Sequence, residues 1–166
     1  HQKGDILYVG GNFTTAFGQN RVRFFAYNLK DQRLEGMSPS FNNTVEAIST
    51  DENFVYVGGL FQNANGQIRN RIARFPTLDG TLTSWNPNAS DVVEEILPLG
   101  DKIFLGGNFT DIAAFPPQRL AAVSTSTGAN LSFPSVSNFP DATVHALGTF
   151  NNLLFFGGNF DNYGST

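Results

Sequence analysis

Short apolar runs separated by polar, turn-forming residues recur along the whole chain. The clearest runs are rich in β-branched and aromatic residues and cover residues 6–9, 54–57, 103–105 and 153–156. Runs of about this length bounded by turn formers are typical of buried β-strands. We find no helical apolar periodicity that lasts longer than a turn. The pattern therefore predicts an all-β fold.

Each of these runs ends in a pair of glycines that precedes a phenylalanine. The motif reads YVGGNF, YVGGLF, FLGGNF and FFGGNF, and its first glycines are 48, 48 and 51 residues apart. A glycine pair at a strand end predicts a bulge, a bend or a close approach of a neighbouring backbone. A phosphate-binding loop would need a Lys-Ser/Thr and a following helix, which are missing here. We interpret the pairs as structural: Gly10 and Gly11, Gly58 and Gly59, Gly106 and Gly107, and Gly157 and Gly158.

The second repeat shows the complete unit most clearly. It predicts strands at residues 45–50, 54–61, 71–75 and 81–86, with the hairpin-forming pair Asp79-Gly80 before the last strand. Four short strands and one aromatic residue per period of about 48 residues are typical of a β-propeller blade. The whole chain is then a single repeat array, a partial β-propeller with roughly three and a half blades of four antiparallel strands. We number its units 1 to 4, at residues 1–44, 45–91, 92–142 and 143–166.

The second repeat also resembles a known family. Its residues read VGGLF at 57–61, NG at 65–66, NRIARF at 70–75, DGTL at 79–82 and WNP at 85–87. This resembles the delta-sixty repeat, a β-propeller-type repeat of bacterial exported and surface proteins. The chain is also similar to the repeats of fungal cortical marker proteins and, more loosely, to kelch blades. The resemblance implies a scaffold and no particular chemistry.

The other units depart from this pattern but can be aligned with it. The alignment pairs Arg71 with Phe24 and Arg119, and it pairs Trp85 with Phe133 and, after a shift, with Phe41. On this alignment the chain begins at strand two of unit 1 and stops after strand two of unit 4. Propellers close with about four to eight blades, and an open array exposes apolar faces. We therefore expect a segment of a longer polypeptide, or a chain that completes its sheet with other copies.

Composition narrows the classes of function. The net charge is −4, with 10 basic and 14 acidic residues, which argues against nucleic-acid binding. The chain has no cysteine, so disulfides, thiolate metal sites and a cysteine nucleophile are excluded. The chain contains no run of eighteen apolar residues, so the sequence predicts no membrane span. Charged residues are 14% of the chain, and this turn-rich, Asn- and Thr-rich composition favours an extracellular or cell-surface protein.

Three polar residues share one repeat position in the first strand of a unit, the strand nearest a propeller axis. They are Glu46, Glu94 and His145. We predict that they line a central channel. They would either bind a small ligand there or simply contact the water in the channel. Glu95 follows Glu94 directly, and neighbours on a strand point to opposite faces, so the two cannot act as a paired acid and base.

The remaining polar residues give weaker predictions. No metal-ligating spacing occurs and no cofactor is expected, with weak calcium binding near Asp101, Asp111 or Asp141 left open. Arg69, Arg71 and Arg74 are expected to form hydrogen bonds between strands or blades. If the source is eukaryotic, the sequons in predicted loops are candidates for glycosylation: Asn42, Asn88 and Asn130.

The sequence favours a non-enzymatic propeller scaffold that serves adhesion, protein–protein interaction or ligand display. Its binding surface would be the equivalent loops of three blades, residues 14–20, 62–70 and 110–118. The expected partner is another protein, or further blades of the same polypeptide, without nucleic acid or membrane insertion. One alternative is a self-assembling subunit of an extracellular filament, sheath or appendage. A weaker alternative is a hydrolase or lyase centred on the channel residues.

Overall fold

The computed structural model describes residues 1–114, 119–131, 140–151 and 153–162. Within these ranges the backbone forms β-strands and turns and contains no helix, so the all-β prediction is confirmed. Accordingly, nothing in the described ranges is a helix of the length and apolarity needed to cross a membrane.

Unit 1 forms a four-stranded antiparallel sheet and a separate small hairpin. The prediction that the chain begins at strand two is wrong, because residues 2 and 3 already pair with the next strand as the end of strand one. The sheet has the order β1-β2-β5-β6. The elements are β1 Gln2–Lys3, β2 Ile6–Gly10, β3 Thr15–Ala16, β4 Gln19–Asn20, β5 Phe24–Asn28 and β6 Arg33–Leu34.

Units 2, 3 and 4 repeat this plan. In unit 2 the strands are β7 Val45–Thr50, β8 Phe54–Gly59, β9 Asn63–Ala64, β10 Gln67–Ile68 and β11 Ile72–Pro76. Unit 3 has β12 Val93–Leu99, β13 Lys102–Gly107, β14 Leu120–Ser124 and β15 Asn130–Leu131, and unit 4 has β16 Val144–Phe150 and β17 Leu153–Gly158. All pairings within the sheets are antiparallel, as predicted.

The fourth strand predicted for unit 2 is wrong. Residues 81–86 lie in the described part of the chain but join no sheet, although the backbone N–H of Thr83 still donates to Arg74 O at 3.1 Å. The equivalent bond in unit 1 runs from Glu35 N to Ala26 O at 2.8 Å, and there the ladder continues to the pair Asn28 and Arg33. Unit 2 has Pro76 in place of Asn28, and proline has no N–H to donate to a ladder. The ladder therefore stops at this position.

The units stack face to face with apolar side chains between them. One buried cluster joins units 1 and 2 and includes Phe24, Phe41 and Phe75, and a second joins units 2 and 3 and includes Tyr56 and Trp85. The first strands of neighbouring units contact one another, β7 with β12 and β12 with β16. This is the arrangement of sheets around a common axis that the repeat pattern predicts.

The aromatic position of unit 1 was aligned wrongly. Met37 lies 48 residues before Trp85 and is equally buried, so the alignment needs no shift at this position. Phe41 corresponds instead to Ala89, since each forms an isolated bridge with the hairpin region of the following unit. Phe133, the predicted counterpart in unit 3, lies outside the described residues.

In units 2, 3 and 4 the second glycine of the pair allows a close approach of two backbones. A Cβ added to Gly59 would lie 2.3 Å from the carbonyl oxygen of Thr44, which is too close for any side chain. The corresponding distances are 2.1 Å between Gly107 and Val92 and 1.9 Å between Gly158 and Thr143. The expected close approach at the glycine pairs is confirmed.

Candidate functional site

A β-bulge interrupts the first strand at the same place in units 2, 3 and 4. The ladder register shifts between Val45 and Ala47 in β7, between Val93 and Glu95 in β12, and between Val144 and Ala146 in β16. A bulge leaves one residue unpaired and redirects its side chain. The three bulged residues are the predicted channel residues Glu46, Glu94 and His145.

The bulges and the predicted binding loops belong to the same rim of the array. Because β7 and β8 are antiparallel, the start of β7 lies beside Gly59 at the end of β8. The connection to the hairpin β9–β10 leaves the sheet at this end. We call this end of the units the hairpin rim. The turns between first and second strands, such as residues 51–53, lie at the opposite rim.

The three bulged side chains line one open cleft of about 410 Å³. Leu60 and Val92 complete its lining. His145 Nδ1 of unit 4 is hydrogen-bonded to Glu94 Oε2 of unit 3, and Glu46 of unit 2 is exposed. The structure therefore brings together residues that lie about fifty positions apart in the chain.

The chemistry of the cleft is that of a polar, mainly acidic surface. Among the described residues, no three His, Cys, Asp or Glu side chains are grouped so that they could hold a metal ion. Glu95 does not join the cleft lining and pairs with Gly106 in the ladder. Partial burial raises the pKa of the Glu95 carboxyl, while a hydrogen bond from the backbone of Ile96 acts in the opposite direction.

The calcium candidates have local roles. Asp101 forms a surface ion pair with Lys102, with 3.1 Å between the charged atoms. A hydrogen bond from the side-chain amide of Asn162 holds the pKa of Asp141 below its ordinary value. The Asp141 carboxylate also accepts the backbone N–H groups of Asp161 and Asn162, which act in the same direction. Asp111 accepts a hydrogen bond from Ser90 through its backbone carbonyl. Calcium binding itself stays a prediction.

Arginines hold the hairpins against the sheets, as expected for the cluster in unit 2. Arg69 donates to Thr83 O at 2.7 Å, and Arg71 donates to Leu60 O. Arg74 reaches across to Thr125 O of unit 3 and lies over the ring of Phe54, 4.1 Å from its centroid. The predicted hydrogen bonds between strands and between units are confirmed.

The sequence alignment missed the counterpart of Arg71 in unit 1. It is Arg23, which lies 48 residues earlier, and not Phe24. Arg23, Arg71 and Arg119 have positive φ angles of 67°, 68° and 67°. Each N–H donates at 2.8 Å to the carbonyl oxygen of the phenylalanine that follows the glycine pair in its unit. An alignment of the units at a constant spacing of 48 residues identifies Arg23 as this counterpart.

The three candidate glycosylation sites have different surroundings. Asn42 lies in the link between units 1 and 2, where its side-chain oxygen accepts the backbone N–H groups of Gln62 and Asn63 at 2.8 and 2.9 Å. Asn88 lies in the next link and accepts a hydrogen bond from Asn70. Asn130 was predicted in a loop, which is wrong, since it pairs with Val123 in the short strand β15.

The hairpins at this rim share one turn geometry. Both central residues have positive φ, as a two-residue type I′ turn requires: Phe17-Gly18 at 51° and 73°, Asn65-Gly66 at 49° and 75°, and Ala113-Ala114 at 52° and 58°. Phe17 and Ile68 are 68% and 70% exposed. Residues 115–118 of the third predicted loop lie outside the described residues.

Comparisons with known proteins agree on the architecture. Residues 55–82 match the family model described as "Domain of unknown function (DUF5122) beta-propeller". The chain also resembles the crystal structure of the computationally designed Ika8 protein, with a TM-score of 0.65 and 14% sequence identity. This match covers 95% of the chain and 41% of the designed protein. No curated protein matches the chain.

The chain is therefore an all-β array of β-propeller-type repeats, as the sequence predicts. The family match lies within unit 2, the unit that also carries the most complete repeat motif. The number of blades and the unit boundaries stay predictions.

Proposed function

We propose that this chain is a non-enzymatic propeller scaffold that binds another protein at the hairpin rim. The observation that carries the proposal is the cleft formed by the bulged residues of three consecutive units. The same bulge recurs in each unit while the bulged side chain changes from Glu46 to Glu94 to His145. A rigid framework that displays variable side chains at one edge is typical of binding surfaces.

The charge of the cleft favours a basic group on the partner. Glu94 is hydrogen-bonded to His145, whereas Glu46 is exposed beside them. A Lys or Arg side chain that enters between Glu46 and Glu94 would gain charge-assisted hydrogen bonds. On the hairpin of unit 2, Ile68 offers exposed apolar surface, and apolar contacts beside a charged group are common in protein interfaces.

Binding accounts for these residues better than catalysis does. An acid–base pair for glycoside hydrolysis needs two carboxyl groups that flank the bond to be cleaved. Here the imidazole of His145 and the carboxylate of Glu94 face each other, and Glu46 is the remaining acidic group of the cleft. We further propose that the repeat is of the delta-sixty type and that the protein acts in adhesion at the cell surface or outside the cell, in line with its low charge content.

Photo-crosslinking tests the proposal. A photoreactive amino acid replaces Ile68 at the hairpin rim or, as a matched control, Leu99 at the opposite rim, which is 48% exposed. Each variant is incubated with proteins released from the surface of the source cells, and crosslinked partners are identified by mass spectrometry. We expect a specific partner at Ile68 and none at Leu99.

Affinity measurements with the purified partner then test the cleft. Glu46→Gln should weaken binding about tenfold, which corresponds to about 1.4 kcal/mol. The matched control is Glu52→Gln, which removes an exposed carboxylate from the turn at the opposite rim. Equal crosslinking at both rims, or equal affinities of the two glutamine variants, would contradict the proposal.

A further inference from the structure

Two positions of the repeat are polar at two of the boundaries between consecutive units and apolar at the boundary between units 2 and 3. One position directly follows the glycine pair, and the other lies in the link, two residues before the bulge of the next unit. At the boundary of units 3 and 4 they are Asn108 and Thr143, and Thr143 Oγ1 donates to Asn108 Oδ1 at 3.2 Å. At the boundary of units 1 and 2 they are Asn12 and Thr44.

The boundary of units 2 and 3 has Leu60 and Val92 at these positions instead. Both side chains are partly exposed, and both line the cleft that also contains Glu46 and Glu94. Units 2 and 3 each have a neighbouring unit on both sides, so this apolar surface is not exposed for lack of a neighbour. A bound aliphatic group would remove it from water, which is favourable. We call Leu60 and Val92 the apolar pair of the cleft.

The carboxylates of the cleft add negative charge beside the apolar pair. Glu46 is exposed, and Glu94 is hydrogen-bonded through Oε2 to His145 Nδ1, which leaves its Oε1 for another donor. The cleft has a volume of about 410 Å³, which is within the range of ligand-binding clefts. Its chemistry therefore complements a group that is aliphatic along its length and positively charged at its end.

We propose that the cleft takes a lysine side chain of the partner protein, with its methylene stem on the apolar pair and its ammonium group between Glu46 and Glu94. This inference rests on the proposed function and gives it a chemical specificity. Lysine packs its aliphatic stem on apolar surface while its charged end stays with polar groups. An ammonium group donates to one oxygen of each carboxylate, whereas the planar fork of arginine favours both oxygens of one carboxylate.

Peptide titrations followed by NMR test this specificity. The probes are short Gly-Ser peptides with blocked ends and one central residue, which is lysine, arginine or diaminobutyric acid, an ammonium on a shorter stem. Each probe is added to the isotopically labelled 166-residue chain, and the backbone amide signals of Leu60, Val92 and Glu94 report its dissociation constant. We expect the lysine peptide to bind at least about fivefold more tightly than either other peptide.

A matched double variant tests the apolar pair directly. Leu60→Asn combined with Val92→Thr gives this boundary the residue types of the other two boundaries, so the fold and the Tm should be retained. The variant should bind the lysine peptide about fivefold more weakly and should no longer distinguish lysine from diaminobutyric acid. Equal affinities of the variant and the original chain for the lysine peptide, or tighter binding of the arginine peptide to the original chain, would overturn the proposal.

The outcome can be separated from that of the proposed function. Crosslinking at Ile68 tests the hairpin rim and Glu46→Gln tests the charge of the cleft, and neither changes the apolar pair. If Glu46→Gln weakens binding of the purified partner while the double variant binds it as tightly as the original chain, the rim binds a protein but the lysine proposal is wrong. A lysine peptide that causes no shift at millimolar concentration would overturn the lysine proposal and leave the crosslinking result intact.

Discussion

Units 1 and 2 place similar side chains at the same strand positions but bury them to different extents. Tyr27 pairs with Leu7 in unit 1 as Phe75 pairs with Val55 in unit 2. Phe75 is fully buried because unit 1 packs on it, whereas Tyr27 is half-buried. The comparison teaches that the apolar pattern marks a face for packing and that the neighbouring unit decides whether the face is buried.

The hairpin tips of units 1 and 2 differ in the contacts that the first central residue of the turn makes. Asn65 of unit 2 joins the tip to the link from unit 1, since its side chain accepts from Ser40 N at 2.9 Å and donates to Gly80 O at 2.8 Å. Phe17 has the same turn position in unit 1 but stacks on Tyr27, with ring centroids 5.0 Å apart. A left-handed φ costs a residue such as Phe about 1 kcal/mol or more. Asn tolerates this conformation far better.

The largest expected difference between the units is at their buried aromatic positions. Phe75→Ala should lower the free energy of unfolding by about 3–5 kcal/mol, because it leaves a cavity between two packed units. Tyr27→Ala, at the equivalent position, should cost less than half as much. Urea denaturation of both variants measures the difference, and equal costs would show that unit 1 is packed on both faces like unit 2.

A smaller effect is expected at the hairpin tips. Asn65→Ala should cost about 1–3 kcal/mol, since it removes two hydrogen bonds and leaves alanine at a positive φ. The matched variant Phe17→Asn should change stability by less than about 1 kcal/mol, because a better-suited residue replaces stacked aromatic surface. Thermal unfolding in the same buffer compares them, and a larger loss for Phe17→Asn would break the distinction between the two tips.

The smallest expected effect is on the pH dependence of stability and concerns unit 3. There Glu95 occupies the position that Ala47 has in unit 2. Burial raises the pKa of Glu95 above its ordinary value of 4.5. Between pH 4.5 and the higher pKa of the folded state, the folded protein therefore binds more protons than the unfolded protein. Stability should therefore fall as the pH rises through that range. In Glu95→Gln this contribution should be absent. Unfolding curves at several pH values test it, and parallel pH dependence of both proteins would contradict it.

Much of the fold can be predicted from the sequence because the repeat is regular, with spacings of 48, 48 and 51 residues. A period of 48 residues locates the strands, and the glycine pairs mark close approaches that admit no side chain. The errors occur where residue type was followed instead of the period, as with Arg23 and Met37. The fourth strand predicted for unit 2 does not form because one proline, Pro76, removes the donor that the ladder needs.

The sequence by itself determined the strand positions, the turn residues and the alternation of apolar side chains, since these depend on neighbours within a few positions. Only the tertiary structure decided that Glu46, Glu94 and His145 share one cleft and that Phe75 is fully buried where Tyr27 is half-buried. These contacts join residues about fifty positions apart or depend on an adjacent unit. Local pattern cannot specify them, because they arise from how the sheets stack and where each bulge redirects a side chain.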